Sequence, residues 1–201
     1  MRVEFLVDEE SKEAALRNIL PKIAGDLITY QIHVLRGKSH ILPRLRAYKK
    51  WLPKDRRILV LFDNDKKDCE KVKAELEQFA RTAGLPTKTA PGHGKDYQVV
   101  NRLAIEELES WFFGDIEALV KAYPGVPDTL AEKSGFRDPD AIQGGTWEQL
   151  EKILQKAGHY SAGLAKITAA RDISSYMDPE RNRSKSFQVF RDTIKMLAKI
   201  S

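Results

Sequence analysis

The sequence predicts an α/β protein with a mostly parallel, Rossmann-like sheet and a helical C-terminal extension. Three observations carry that expectation. Short apolar runs alternate with amphipathic stretches in the order β-α-β-α-β-α up to Gly84. One run, "RILVLF" (57–62), is nearly continuously apolar, as a strand covered on both faces requires. Toward the C-terminus the apolar spacing becomes helical.

The elements follow in order. "VEFLV" (3–7) reads as the first strand. "EESKEAALRNILPKI" comes next, with Ala14, Leu16, Ile19, Leu20 and Ile23 at helical spacing. "LITYQIHVL" (27–35) is rich in β-branched and aromatic residues and predicts a second strand. "HILPRLRAYKKWL" (40–52) predicts a basic amphipathic helix with Pro43 near its first turn. After the third strand, "DCEKVKAELEQFARTAG" (68–84) predicts a helix with Val72, Leu76 and Phe79 inward and Gly84 as its stop. "APGHGKD" (90–96) reads as a loop and "YQVVNRLAI" (97–105) as a fourth strand. "EELESWFFGDIEALVKAY" (106–123) predicts helix broken near Gly114, with Trp111, Phe112 and Phe113 in the core. The Gly- and Pro-rich 124–145 stretch predicts an irregular excursion. Helices are expected at 147–157, 161–171 and 184–200, with Ser184 and Ser186 as candidate caps for the last. Residues 1–123 are thus expected to form the α/β domain, and 124–201 a helical extension to it.

A composition of 42% apolar and 31% charged residues is that of an ordinary globular chain. Its 201 residues suffice for a core without staples. No apolar run approaches the roughly 20 residues that span a bilayer. Acids at 8, 9 and 10 stand where a signal peptide would stay apolar, so the expected location is the cytoplasm, away from membranes. The single Cys69 excludes an internal disulfide and a multi-cysteine zinc site, and is expected to be a small packing residue.

Charge is unevenly spread. Residues 151–201 hold ten Lys/Arg against five Asp/Glu, a surplus equal to the whole-chain net of +5. Residues 33–57 hold nine Lys/Arg against Asp55 alone. Two basic regions and an acidic cluster in one chain fit a polyanion held near a cation site. Solvated helix faces produce the same pattern. The chain lacks a Gly-x-x-x-x-Gly-Lys-Ser/Thr loop, a Gly-x-Ser-x-Gly elbow and the EF-hand spacing.

Ligands of open α/β sheets bind beyond the carboxyl ends of the strands. Asp8, Glu9 and Glu10 follow the first strand there, and Asp63, Asp65 and Asp68 follow the third. Glu106, Glu107 and Glu109 follow the fourth. An oxygen-only donor set with room for water and substrate phosphate is what Mg²⁺ prefers, and a divalent charge offsets the repulsion among the acids. Taken singly, acids after a strand also act as turn formers and helix caps, the role expected for Asp68. His93, beside Lys95 in the 90–96 loop, is a candidate substrate contact or a plain surface histidine.

The pairing of "EFLVDEESKEAAL" (4–16) with "ILVLFDNDKKDC" (58–69) resembles the TOPRIM fold of topoisomerases, bacterial primases and OLD-family nucleases. The chain is similar in particular to an uncharacterised bacterial TOPRIM-like family encoded beside ATPases in defence operons, a likeness extending through "EELESWFFGD" (106–115) and "RSKSFQVF" (183–190). The resemblance implies divalent metal, Mg²⁺ or Mn²⁺, held by Asp63, Asp65 and Asp8. Glu109 matches the family's acid before Trp111 and is the fourth expected metal ligand. One departure stands out: the first motif is usually "LVEG", and here it reads "LVDE". Asp8 is one methylene shorter than the usual Glu, which makes Glu9, Glu10 and Glu13 candidates to assist it as ligand or general base.

The implied function is Mg²⁺-dependent phosphoryl transfer on nucleic acid, as a TOPRIM-type nuclease working with a partner ATPase in phage defence. Arg44, Arg46, Lys49, Lys50, Lys166, Arg183 and Lys185 are the expected phosphate contacts. Two rivals remain at this stage. One is a haloacid-dehalogenase-like phosphatase with Asp63 as nucleophile. The other is a non-catalytic module for nucleic acid or a partner, with a degenerate metal site.

Overall fold

A computed structural model describes residues 1–51, 53, 56–90, 92 and 96–199. Four strands, β1 (Arg2–Val7), β2 (Thr29–Val34), β3 (Arg56–Asp63) and β4 (Val99–Ala104), form one sheet in the order β2-β1-β3-β4. Every pairing is parallel. The helices are α1 (Glu10–Ala24), α2 (Ile41–Trp51), α3 (Cys69–Thr82), α4 (Glu109–Phe113), α5 (Ile116–Ala122), α6 (Thr146–Lys156), α7 (Lys166–Tyr176) and α8 (Lys185–Lys199). The α/β class and parallel sheet are those the sequence predicts.

Strand alternation divides the core in two. Val3, Phe5, Val7, Leu59, Leu61, Val100 and Ala104 pack with α1 and α8, including Leu16, Ile19, Phe187 and Phe190. Leu6, Ile58, Val60, Phe62 and Val99 pack with α2 and α3 through Leu45, Tyr48, Leu76 and Ala80. Both sheet faces are therefore covered, which is why β3 is apolar at consecutive positions. Helices beyond residue 124 share the first of these clusters with β1. Trp111 donates its indole N–H to Ser186 Oγ at 3.0 Å and packs edge-to-face on Phe187 and tilted on Phe190, tying α4 to α8. Lys22 of α1 donates to the carbonyls of Ser174, Ser175 and Met177, satisfying the end of α7.

The break near Gly114 falls at Asp115, whose φ of -130° and ψ of 79° leave helical geometry, while packing at 114 admits only glycine. A Cβ there would collide with the Asn182 side-chain amide, which is buried and also donates to the Trp111 carbonyl. Asp115 then caps α5, accepting from the Ala118 N–H. The 124–145 excursion holds three short 3₁₀ turns, at Asp128–Glu132, Ser134–Phe136 and Pro139–Ala141. Ser184 caps α8 by accepting from the Phe187 N–H at 3.1 Å.

Two expectations need correction. The helix expected at 161–171 begins only at Lys166, because Gly158 and Gly163 hold positive φ and keep the intervening stretch irregular. Cys69 is exposed rather than packed, since it follows the cap residue Asp68 on the solvent side of the first turn of α3. No helix among the described residues is long and apolar enough to cross a membrane.

Candidate functional site

The register sets Val7 of β1 opposite Leu61 of β3, so the residues just past β1 meet the last residues of β3. The Asp63 N–H donates to Asp8 Oδ2 at 3.2 Å. Asp8, Glu9 and Asp63 each present an oxygen within 4.8 Å of the other two. At their centre stands Lys12, whose side chain is fully buried. Its Nζ lies 2.6 Å from Asp63 Oδ2, 2.7 Å from Asp8 Oδ1 and 3.7 Å from Glu9 Oε1. Ser11 Oγ steadies the other Glu9 oxygen at 3.2 Å. Asp63 Oδ1 is buried without a hydrogen-bond partner among the described residues.

Three carboxylates around one ammonium leave a surplus of negative charge. Burial pushes the Asp63 carboxyl well above the usual carboxylate range, Lys12 pulls it back, and Asp8 and Glu109 reinforce the rise. Burial raises Glu9, but Lys12, Lys166 and hydrogen bonds with Asp63 and Ser11 together hold it below its ordinary value. Lys12 loses hydration on burial, yet Asp63, Asp8 and Glu9 hold it firmly protonated. Glu109, 4% exposed, is pushed up to about 7 by burial, against the pull of Lys166. Lys166, the first residue of α7, lies 4.9 Å over the Trp147 ring and acts on this group from the C-terminal helices.

The other candidates are placed as follows. Asp65 is exposed in a left-handed turn (φ 48°), donates its N–H to the Glu106 carbonyl, and stays outside the group of three. Asn64 fixes this turn, accepting from the Glu106 N–H at 2.5 Å and donating to the Lys67 carbonyl at 2.6 Å. Asp68 is the α3 cap, accepting from the N–H groups of Glu70 and Lys71. Glu10 reaches out to Arg36. Glu13 turns outward to Arg17 at 2.6 Å and does not point toward Asp8. Glu107 leaves the cluster to accept from the Thr146 Oγ1 and the Trp147 N–H at the start of α6.

Among the basic candidates, Lys166 alone comes electrostatically close to the acids. Arg44 donates to His33 Nδ1 at 2.8 Å, and His33 Nε2 faces buried Glu4 at 2.8 Å. Arg46 and Lys50 are exposed on α2. Lys49 lies near Gly84, beyond the far end of α3 and so away from the acidic end of the sheet. Arg183 lines a cavity beside Asp115, and Lys185 borders a groove along β4. His93 and Lys95 lie outside the described residues.

Lys12 is the residue that sequence reasoning missed. A signal was present: it sits four residues after Asp8 and extends the buried stripe of Leu16, Ile19 and Leu20 by one turn toward the N-terminus. A lysine on an apolar face next to acids is an ion-pair candidate.

A family model described as a domain of unknown function, DUF4276, matches residues 7–195. The chain belongs to the DUF4276 family. Among curated proteins none matches it. This DUF4276 domain is similar in structure to the C-terminal region of the OLD protein of Xanthomonas campestris pv. campestris. The two are 14% identical, the match covers 98% of this chain and 96% of that one, and the TM-score is 0.52. At that identity the likeness speaks to the fold.

Proposed function

We propose that this DUF4276 domain carries out Mg²⁺- or Mn²⁺-dependent phosphoryl transfer on nucleic acid, as a TOPRIM-type nuclease acting beside a partner ATPase in phage defence. The observation that carries the reading is the convergence of Asp8, Glu9 and Asp63 from two adjacent strand ends, with Asp63 Oδ1 buried and unpartnered. That donor set fits a hard cation: it is all oxygen, anionic in excess of its one lysine, and holds a spare acceptor. The fold likeness to the OLD C-terminal region and the TOPRIM-like motifs support the same reading.

In this scheme Asp63, Asp8 and Glu9 would hold the ion. Bound there, a divalent ion supplies charge for a phosphoryl oxygen and acidifies a water. Asp65 and Glu106 would form an acidic rim next to it. Lys12 positions Asp8 and Asp63 through its two short ion pairs. Lys166 draws a phosphate toward the acids and offsets their field. Glu109 has a proton affinity near neutrality, which suits a group that takes up and returns a proton during phosphoester cleavage.

One observation favours a second reading. The Lys12 ammonium already meets two of the carboxylates at ion-pair distance, so the domain would bind nucleic acid or a partner without turnover, lysine standing where an ion would otherwise be required.

Plasmid, linear and single-stranded DNA, RNA and a phosphomonoester, each incubated with the protein in EDTA, Mg²⁺ or Mn²⁺, separate these readings. Asp8→Asn, Asp63→Asn and Asp65→Ala proteins serve as controls. Metal-dependent cleavage lost in the Asp8 and Asp63 variants supports the nuclease. Binding without cleavage supports the module, and hydrolysis of phosphomonoesters alone supports the phosphatase. Equal cleavage by wild type and both variants removes this site from the chemistry.

A further inference from the structure

Between the 124–145 excursion and α6 lies a cavity of about 290 Å³. Gln149, Lys152, Ile153 and Lys156 line it from α6. Their spacing puts them on one face of that helix. Trp147 and Glu151 occupy the opposite face, where Lys166 lies over the Trp147 ring and Glu151 accepts from the Leu164 N–H. The cavity is therefore on the far side of α6 from Lys166 and the acids it acts on. Its floor is apolar. Leu130 is buried there, and Ile153 and Phe136 are half-buried. Phe136 rests on Phe113 with ring centroids 5.4 Å apart, which fixes its ring.

The charge around this cavity has one sign. Lys133, Lys152 and Lys156 line it, and among the described residues no acid does. None of the three lysines has an ion-pair partner among the described residues. The neighbouring acids are engaged or exposed elsewhere. Asp128 lines the separate cavity beside Asp115, the Glu148 carboxylate lies against Gly145, and Glu151 serves Leu164. Glu132 is exposed and pairs with none of the lysines. Lys152 and Lys156 are like charges at i, i+4, an arrangement that destabilises a helix unless an anion answers it. Gln149 donates its Nε2 to the Gln143 carbonyl at 3.1 Å, which leaves its Oε1 as a neutral acceptor.

We infer that this cavity binds a small phosphomonoester with a flat ring, of the size and chemistry of a nucleoside monophosphate. Ligand sites combine mostly apolar walls with a few polar groups that orient the ligand. This cavity lies at the small end of their usual size, which suits one nucleoside and not a dinucleotide. The ring packs on Phe136, Ile153 and Leu130 and offers an N–H to Gln149 Oε1. The phosphate carries about 1.5–2 negative charges at neutral pH and answers the three lysines. Either half alone leaves the match incomplete. A nucleoside ignores the lysines, and inorganic phosphate leaves the apolar floor in water. The inference does not depend on the chemistry proposed for the acidic cluster, which lies at the strand ends.

The test uses the full chain in EDTA and low salt, so that no metal draws phosphate to the acidic cluster. The probes are the common nucleoside monophosphates, the matching nucleosides and inorganic phosphate. Binding is read by calorimetry and by the methyl NMR signals of Leu130 and Ile153. At least one monophosphate is expected to bind saturably at one per chain and to shift both methyl signals. The Asp8 and Asp63 amide signals are expected to stay in place. Its nucleoside and inorganic phosphate are each expected to bind about tenfold or more weakly. Lys152→Gln with Lys156→Gln is expected to weaken the monophosphate by about tenfold or more, with an unchanged circular dichroism spectrum. Added salt is expected to weaken it in the wild-type chain, a result that needs no folded variant. Failure of every monophosphate to bind, equal binding of the nucleoside, or undiminished binding by the double lysine variant overturns the inference. So do shifts at Asp8 and Asp63 in place of the two methyls, or an oligonucleotide that moves those methyls when no monophosphate does.

Discussion

Replacing Lys12 with methionine keeps most of the side-chain volume and removes its charge. The wild-type ammonium is fully buried and touches Asp63 and Asp8 at 2.6 and 2.7 Å. Its loss leaves carboxylates facing one another in low dielectric. Breaking a buried pair by removing one partner costs about 3–5 kcal/mol. For a chain of this length that lowers the melting temperature by roughly 6–20 °C, with EDTA present so that no metal compensates. The loss should shrink toward pH 5, where the orphaned carboxylates take up protons instead. If the same acids hold a divalent ion, Mn²⁺ at about 100 times its dissociation constant returns about 2.7 kcal/mol. Wild type should gain less, because there the ion competes with the lysine. Thermal denaturation of both proteins, in EDTA and in a Mn²⁺ series, gives four curves to compare. A Lys12→Met protein that melts within about 2 °C of wild type in EDTA would refute the claim that this ammonium holds the acids together. Mn²⁺ stabilising neither protein would refute the site's fitness for a metal.

Three further outcomes are expected. Glu109 holds a proton up to about 7 in the fold but releases it near 4.5 when unfolded, so the native state binds the extra proton between those values. Its contribution to stability is therefore complete below about pH 4.5 and is lost by about pH 7, roughly 3 kcal/mol at about 1.4 kcal/mol per pH unit. Urea denaturation of Glu109→Gln should lack this decline, and a variant with the same pH slope as wild type argues against it. Asp68→Ala removes the α3 cap and should cost about 1 kcal/mol in urea denaturation while leaving Mn²⁺ affinity, read by calorimetry, unchanged. Gly114→Ala drives a methyl into the buried Asn182 amide and should cost about 1–3 kcal/mol, and a neutral result would mean that Asn182 is free to move.

Most of the fold was legible because its signals are local. The strands at 3–7 and 57–62 announce themselves by unbroken apolar character, and the helix at 69–82 by its cap, its stripe and Gly84. Side-chain destinations were less so, since they depend on contacts remote in sequence. Glu13 reads as a turn-on companion of Asp8, but Arg17 sits one helical turn further and takes it. Glu107 reads as part of a third acidic cluster, and only the fold brings Thr146 and Trp147 to it. Asp63 and Asp65 look equivalent in "FDND", yet one ends the buried strand while the other occupies a left-handed turn facing water.

Lys12 shows why an acidic constellation cannot be read by its acids alone. The repulsion among Asp8, Glu9 and Asp63 has to be met by a cation, and the acids read by themselves suggest a metal. The fold commits a lysine, and still leaves charge over. Burial raises Asp63 and Glu109, the neighbouring acids Asp8 and Glu107 add to the rise, and Lys12 is held charged by Asp63, Asp8 and Glu9. Three carboxylates around one ammonium leave two negative charges over, and Asp63 Oδ1 is a buried oxygen without a hydrogen-bond partner among the described residues. Lys12 thus reads as part of a charge balance that an added divalent ion or an approaching phosphate-bound cation would complete, and the four melting curves measure that deficit directly.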